Sequence, residues 1–228
     1  MSRTKPNTNT KNPAEATFEW VAVDGVWRYW DVENKERVVV DGGLEFAILD
    51  QLSNVSGWVK DLGSCRCHET HNITAAPIQV FAWKDGKSRM IKEGMYKEIK
   101  DELKAMGIKY HKVVYAMLTK DAGAISAGAI VKLDLGGAAM SEWIESDVRD
   151  DDSIATGEGE LVKVNAMIKY FKPSFEKVEI DASADELAKG ADDLLQEYFD
   201  GRKVESVPVA EAVVQDAGFV AEEDDVPF

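Results

Sequence analysis

Flat aromatic rings stand beside cations in four short alternating segments of this chain: Trp27, Arg28, Tyr29 and Trp30; Phe81, Trp83 and Lys84; Tyr110, Lys112 and Tyr115; Lys169, Tyr170, Phe171 and Lys172. A ring offers a surface on which an unpaired base can stack, at about 1–3 kcal/mol per base, while a neighbouring cation neutralises a phosphate. Strand alternation sends only half of each set to any one face. By that rule Arg28 shares a face with Trp30, Lys112 with Tyr110 and Lys169 with Phe171, whereas Trp83 and Lys84 point opposite ways. Aromatic residues in strands also fill cores. The candidate contacts for a single nucleic-acid strand are therefore Arg28, Trp30, Trp83, Lys84, Tyr110, Lys112, Lys169 and Phe171.

Two other clusters suggest different chemistry. Cys65, Cys67, His68 and His71 supply four metal-ligand types within seven residues. Their C-x-C-H spacing differs from the separated C-x-x-C pairs that close a zinc tetrahedron, so buried thiols and surface imidazoles are the expectation, with no metal or other cofactor. Asp150, Asp151 and Asp152 could serve a metal-dependent nuclease, but with Ser153, Thr156 and Gly157 beside them they fit a solvated loop. No GxxxxGK[ST] loop or GxSxG elbow occurs, which argues against an ATP motor or an esterase-type hydrolase. The expected protein is not an enzyme.

Charge is polarised along the chain. Of the net −15, the segment Asp181–Phe228 carries −11, with fourteen acids against three bases, while Lys84–Lys112 carries +4. The bases Lys97, Lys100 and Lys104 alternate with Glu98, Asp101 and Glu102, the pattern of a solvated helix face. The chain ends in EEDDVPF. Acidic ends often only aid solubility, but this one finishes on an apolar ring beside the terminal carboxylate. Such an end can place Phe228, with Val226 and Pro227, in a partner's pocket while basic residues there hold the carboxylate, Asp224 and Asp225.

The elements that must position these groups follow from periodicity. Residues 1–15 are expected to be a flexible arm, 16–200 one domain, and 201–228 a disordered acidic tail. Between Trp20 and Leu49, WVAV, VWRYWDV, RVVV and LEFAIL predict an antiparallel meander. Further strands are expected at Val55–Val59, Ile78–Lys84, Lys109–Leu118, Ile130–Leu135 and Leu161–Phe171. Helical spacing of Met95, Ile99, Leu103 and Met106 predicts a short helix between strands, and Met140, Trp143 and Ile144 predict a second. Ser183 with Glu186 forms a capping box for a C-terminal helix over Ala184–Phe199. A mainly β fold follows: an OB-fold-like five-stranded barrel with a short inserted helix, extra strands and a C-terminal helix. Neither a targeting segment nor a transmembrane run is evident, and two closely spaced cysteines suit a reducing cytoplasm.

EEDDVPF resembles the acidic Pro-Phe end of bacterial single-stranded DNA-binding proteins. The interior resembles bacteriophage single-stranded DNA-binding proteins in FAILDQLSNVSGW (Phe46–Trp58), EGMYKEIKDELKAMGIKYHKVVYAML (Glu93–Leu118) and LGGAAMSEW (Leu135–Trp143). That resemblance implies an OB-fold, coating of single-stranded DNA during phage replication and recombination in the host cytoplasm, and recruitment of replication proteins through the tail. It also leaves homo-oligomerisation open. A strand-annealing accessory that engages duplex DNA, a metal-dependent nuclease and a scaffold without DNA affinity are the alternatives. The tail carries a corollary expectation: an acidic end can occupy the basic groove when DNA is absent.

Overall fold

The computed structural model describes residues 11–157, 159–165 and 169–202. Residues 1–10 and the acidic end, including Asp224, Asp225, Val226, Pro227 and Phe228, lie outside the described residues.

The first strands form the expected meander: β1 (Ala16–Val21), β2 (Val26–Asp31) and β3 (Glu36–Val40) pair antiparallel in sequence. Asp31 shapes the β2–β3 turn, its Oδ1 accepting the N–H groups of Glu33 at 2.8 Å and Asn34 at 3.1 Å, as short carboxylates do at turns. The next strand leaves the meander. β4 (Glu45–Val59) is a single 15-residue strand. The sequence divides it at its polar middle, but Gln51, Ser53 and Asn54 lie within the ladder, and a bulge between Ile48 and Asp50 re-phases the alternation. β4 pairs along its length with β8 (Ile108–Leu118), from Phe46 opposite Leu118 to Gly57 opposite Ile108.

The other edge of β4 is shared. β10 (Ser153–Thr156) takes its start and β5 (Gly63–Cys67) its end, followed by β6 (Ile78–Lys84) and β7 (Lys87–Gly94). β9 (Ile130–Leu135) pairs with β8 and lies parallel to β1. The sheet order is β3-β2-β1-β9-β8-β4-β5-β6-β7, with β10 and β13 (Phe175–Lys177) branching from β4. Its ends, β3 and β7, do not pair, so the sheet is mixed and open. The OB-fold-like five-stranded barrel expected from element order is not closed.

Leu161–Phe171, whose alternation suggested one strand, instead contains a hairpin: β11 (Glu160–Lys163) pairs with β12 (Lys169–Lys172), Leu161 facing Phe171. The period of two runs through the sequence of both strands, so alternation alone does not reveal that they are separate. Helices α1 (Tyr96–Ala105) and α2 (Gly137–Glu145) occupy the expected places. α3 (Ala182–Arg202) begins before the expected start, because Asp181 caps it: its Oδ1 accepts the Ala184 N–H at 2.8 Å. No helix among the described residues is long and apolar enough to cross a membrane.

One face of the sheet, the inner face, carries two cores. The first gathers Phe18, Trp27, Phe46, Leu133, Trp143 and Phe175; the second gathers Val55, Cys65, Cys67, Val80, Ile99 and Leu103. Tyr110 packs against both. On the outer face, Leu52, Val113, Tyr115 and Met117 are covered by Ala191 and Leu195 of α3. Fully burying side chains of this size contributes about 1.5–3 kcal/mol each. Among the described residues α3 covers this part of the outer face, while Ser64 and Arg66 of β5 and Ser88 and Met90 of β7 are exposed.

Candidate nucleic-acid interface

Along Gly63–Cys67 of β5 and Ile78–Ala82 of β6 the chain turns small or aliphatic groups inward and polar or aromatic groups outward. In β5 the alternation Gly63, Cys65, Cys67 buries both thiols, while Ser64 and Arg66 are exposed. Burial pushes both thiols above their ordinary pKa, keeping them protonated and unreactive near neutral pH. His68 lies just past the strand with its ring edge-on to Phe81 at 5.9 Å, and His71 binds the Asp50 carboxylate at 2.9 Å. The four groups of the Cys-His segment are thus parted between faces and partners. Among the described residues no group of three or more His, Cys, Asp or Glu side chains is arranged to hold a metal ion.

Cross-strand register assembles the outer face. Lys109 of β8, Ser56 of β4, Arg66 of β5, Phe81 of β6 and Met90 of β7 form one row, each the Cα partner of the next. Trp58, Ser64, Trp83 and Ser88 form the row beside it. The Arg66 guanidinium sits over the Trp83 ring, 4.9 Å from its centroid, and Phe81 lies 5.8 Å from Trp83. Trp58 is 73% exposed and Met90 50%. Large apolar groups at this exposure, interleaved with cations, form a platform on which Trp58 stands exposed and Arg66 lies over Trp83. Gly63 keeps the array in register: its φ of +83° suits glycine, and a Cβ there would run into the Trp83 carbonyl.

The outer face continues beyond β8. Asn54 is the Cα partner of His111, Val113 of Asp134, Asp134 of Glu19, and Glu19 of Arg28. Arg28 Nε donates to Glu19 Oε1 at 2.7 Å, and Arg37 reaches the same oxygen at 3.8 Å. Trp30, 52% exposed, stands opposite Arg37 on the same side. Burial works to raise the Asp134 carboxyl. The His111 hydrogen bond at 2.6 Å and the charges of His111, Lys132 and Arg66 outweigh it and hold the carboxyl below its usual range. That depression makes the Asp134 contribution to stability present above the ordinary carboxylate pKa and lost as pH falls through the lower folded value. Asp134→Asn is expected to flatten the acid limb of a melting-temperature series below about pH 4, and an unaltered limb would refute this.

The structure divides the eight sequence candidates. Arg28, Trp30 and Trp83 lie on the outer face. Lys84 points away from Trp83, its Nζ donating to the Asp61 carbonyl at 3.2 Å. Tyr110 and Lys112 lie on the inner side. The Tyr110 hydroxyl is 2.7 Å from Ser53 Oγ, and burial raises its pKa against that hydrogen bond. Burial lowers the Lys112 ammonium, against the charges of Asp150 and Asp50. Lys169 and Phe171 belong to the separate hairpin, where the Phe171 N–H donates to the Ala22 carbonyl at 2.6 Å and its carbonyl accepts Trp20 Nε1–H at 2.9 Å.

The candidate contacts read from the sequence omit Trp58, Arg66, Lys109 and His111, and also Phe81, although it stands in one of the four aromatic segments. For Arg66 the signal is the period-two pattern of Ser64–His68, hidden by its resemblance to a ligand cluster; the others depend on cross-strand register, which no local pattern carries. The acidic run separates its side chains: Asp150 accepts Gln51 Nε2–H at 2.7 Å, Asp152 pairs with Lys177 at 2.8 Å, and Asp151 is exposed. No family model, curated protein or solved structure matches this chain.

Proposed function

We propose that the protein is a noncatalytic coat for single-stranded DNA, which lies across the outer face of β4–β7. The observation that carries this reading is the cross-strand array of Trp58, Phe81 and Trp83 with Arg66 stacked on Trp83. Exposed rings take bases irrespective of sequence, and Arg66, Lys109 and His111 meet the backbone. The resembling segments Phe46–Trp58, Glu93–Leu118 and Leu135–Trp143 correspond to β4, the α1–β8 unit and the β9–α2 junction, the spine on which the array is built. On this reading the open sheet is an elaborated OB-type platform working in the host bacterial cytoplasm.

Fluorescence anisotropy of labelled oligo-dT against a duplex of equal length tests the proposal. Preference for the single strand, with a log–log salt slope near −2 for about three phosphate contacts, is expected. Equal or tighter duplex binding would favour the annealing alternative, and cleavage with magnesium or manganese would favour the nuclease.

The acidic end is proposed to recruit replication and recombination proteins through Asp224, Asp225, Val226, Pro227 and Phe228. α3 brings the chain to the border of the open face, where Phe199 touches His71 at 6.3 Å and Tyr115 at 5.3 Å between ring centroids. Deleting Ala221–Phe228 is expected to tighten DNA binding several-fold at low salt and less at high salt, because screening weakens the competing charge. Unchanged affinity across the salt series would contradict competition by the tail.

A further inference from the structure

All three histidines of the chain, His68, His71 and His111, stand on or beside the outer face. His111 differs from the other two in how firmly it is held. Its Nδ1 is 2.6 Å from Asp134 Oδ1, and its ring lies against the backbone of Gly136, where a Cβ would come within 2.7 Å of the ring. With Asp134 held ionised, that carboxylate can only accept, so Nδ1 carries the hydrogen and a neutral His111 presents a bare lone pair at Nε2. Among the described residues Nε2 has no hydrogen-bond partner, and the side chain is 22% exposed.

The charges around the ring explain why this position matters to an anionic strand. From β9, Asp134 and Lys132 face it, with Lys132 paired to Glu69. Arg66 of β5 acts on Asp134 from the other side, and Lys109 lies two residues earlier on the same side of β8. From β4 come the neutral Asn54 and Ser56, Asn54 with an amide oxygen buried and unpartnered among the described residues. From β1, Glu19 is in register with Asp134 and holds Arg28. The line Arg28, Glu19, Asp134, His111 therefore carries one net negative charge when the imidazole is neutral and none when it is protonated. A strand leaving the aromatic array toward β9 meets two carboxylates at this line.

We propose that His111 is a phosphate contact of the bound strand, taking a proton from solvent at Nε2 as the strand docks and donating that N–H to a backbone phosphate while Asp134 holds the ring. Gly136 and Asp134 are its positioning residues. The inference rests on the single-strand reading of the outer face.

The test is the affinity of the full chain for oligo-dT between pH 6 and pH 8 at constant ionic strength. One linked proton limits the loss of affinity to about tenfold per pH unit, and several-fold weakening across the range is expected. His111→Gln should lower affinity at pH 6 and remove the pH dependence, and His111→Lys should bind with similar affinity at both pH values. The pair His68→Gln and His71→Gln should leave the dependence in place. Binding by the native chain that is independent of pH, or a dependence that survives His111→Gln, overturns the role of His111 and leaves the coat function standing. Absence of oligo-dT binding at every pH overturns both.

Discussion

Trp83→Ala is expected to weaken oligo-dT binding by about 10- to 100-fold while leaving the fold intact. Base–aromatic stacking is worth about 1–3 kcal/mol per base by alanine substitution, and Trp83 does more than offer its own ring. It orients Arg66 by the cation–π contact at 4.9 Å and borders Phe81 at 5.8 Å, so its removal loosens two neighbours. The ring is half-buried on a face that carries neither inner core, so truncation opens no core cavity. Arg66→Ala should cost less and should also reduce the salt slope, because it removes one phosphate neutraliser. Isothermal titration of both variants, beside Trp20→Ala on the inner side, separates loss of the platform from general damage. Equal binding by native and Trp83→Ala chains would remove the platform from the account.

The second large effect concerns stability. Glu69, from the β5–β6 connection, ion-pairs with Lys132 and accepts the Tyr115 hydroxyl at 2.8 Å. Lys132 also lies 5.3 Å from the Tyr115 ring centroid, and Phe199 of α3 packs edge-on against the same ring. The side chains of Lys132 and Glu69 are 16% and 12% exposed. Removing one partner of such a pair leaves the other charge poorly solvated, at a cost of about 3–5 kcal/mol. Glu69→Ala is therefore expected to lower stability by about that much in urea denaturation, loosening the loop and the end of α3 together. The double change Glu69→Leu with Lys132→Met should recover most of the loss, since an apolar replacement leaves no orphaned charge. A Glu69→Ala effect within about 0.5 kcal/mol, the range of ordinary surface substitutions, would mean that the pair is solvated in solution.

Local periodicity made much of the fold legible. β6 and β9 were expected at Ile78–Lys84 and Ile130–Leu135, where they are found, and the inserted helix followed from Ile99 and Leu103. The failures have physical causes. The sequence divides β4 in two because Asp50, Gln51, Ser53 and Asn54 look like a loop, yet each is paired across the ladder with β8. Sheet order is a tertiary property: no local signal says that β4 abandons β3 for β8, so the barrel expectation went beyond what alternation carries. β7 gives no alternation signal because Lys87–Gly94 is largely polar, as befits an edge strand.

The interface was legible as a type of chemistry and less so as a set of residues. Rings paired with cations on one strand pointed to Arg28 and Trp30, but Arg28 is held by Glu19. The closest cation–ring contact, Arg66 on Trp83, spans two strands and depends on register. His111 and Asp134 lie 23 positions apart and become a pair only because β8 and β9 adjoin.

Tryptophan fluorescence during titration with oligo-dT, repeated at several salt concentrations, tests the coat function most directly, because stacking quenches indole while phosphate contacts weaken with salt. The expected result is saturable quenching whose midpoint moves to higher oligonucleotide concentration as salt rises, and which largely disappears in a Trp58→Phe, Trp83→Phe double variant. Fluorescence that stays constant through the titration at every salt concentration would contradict it.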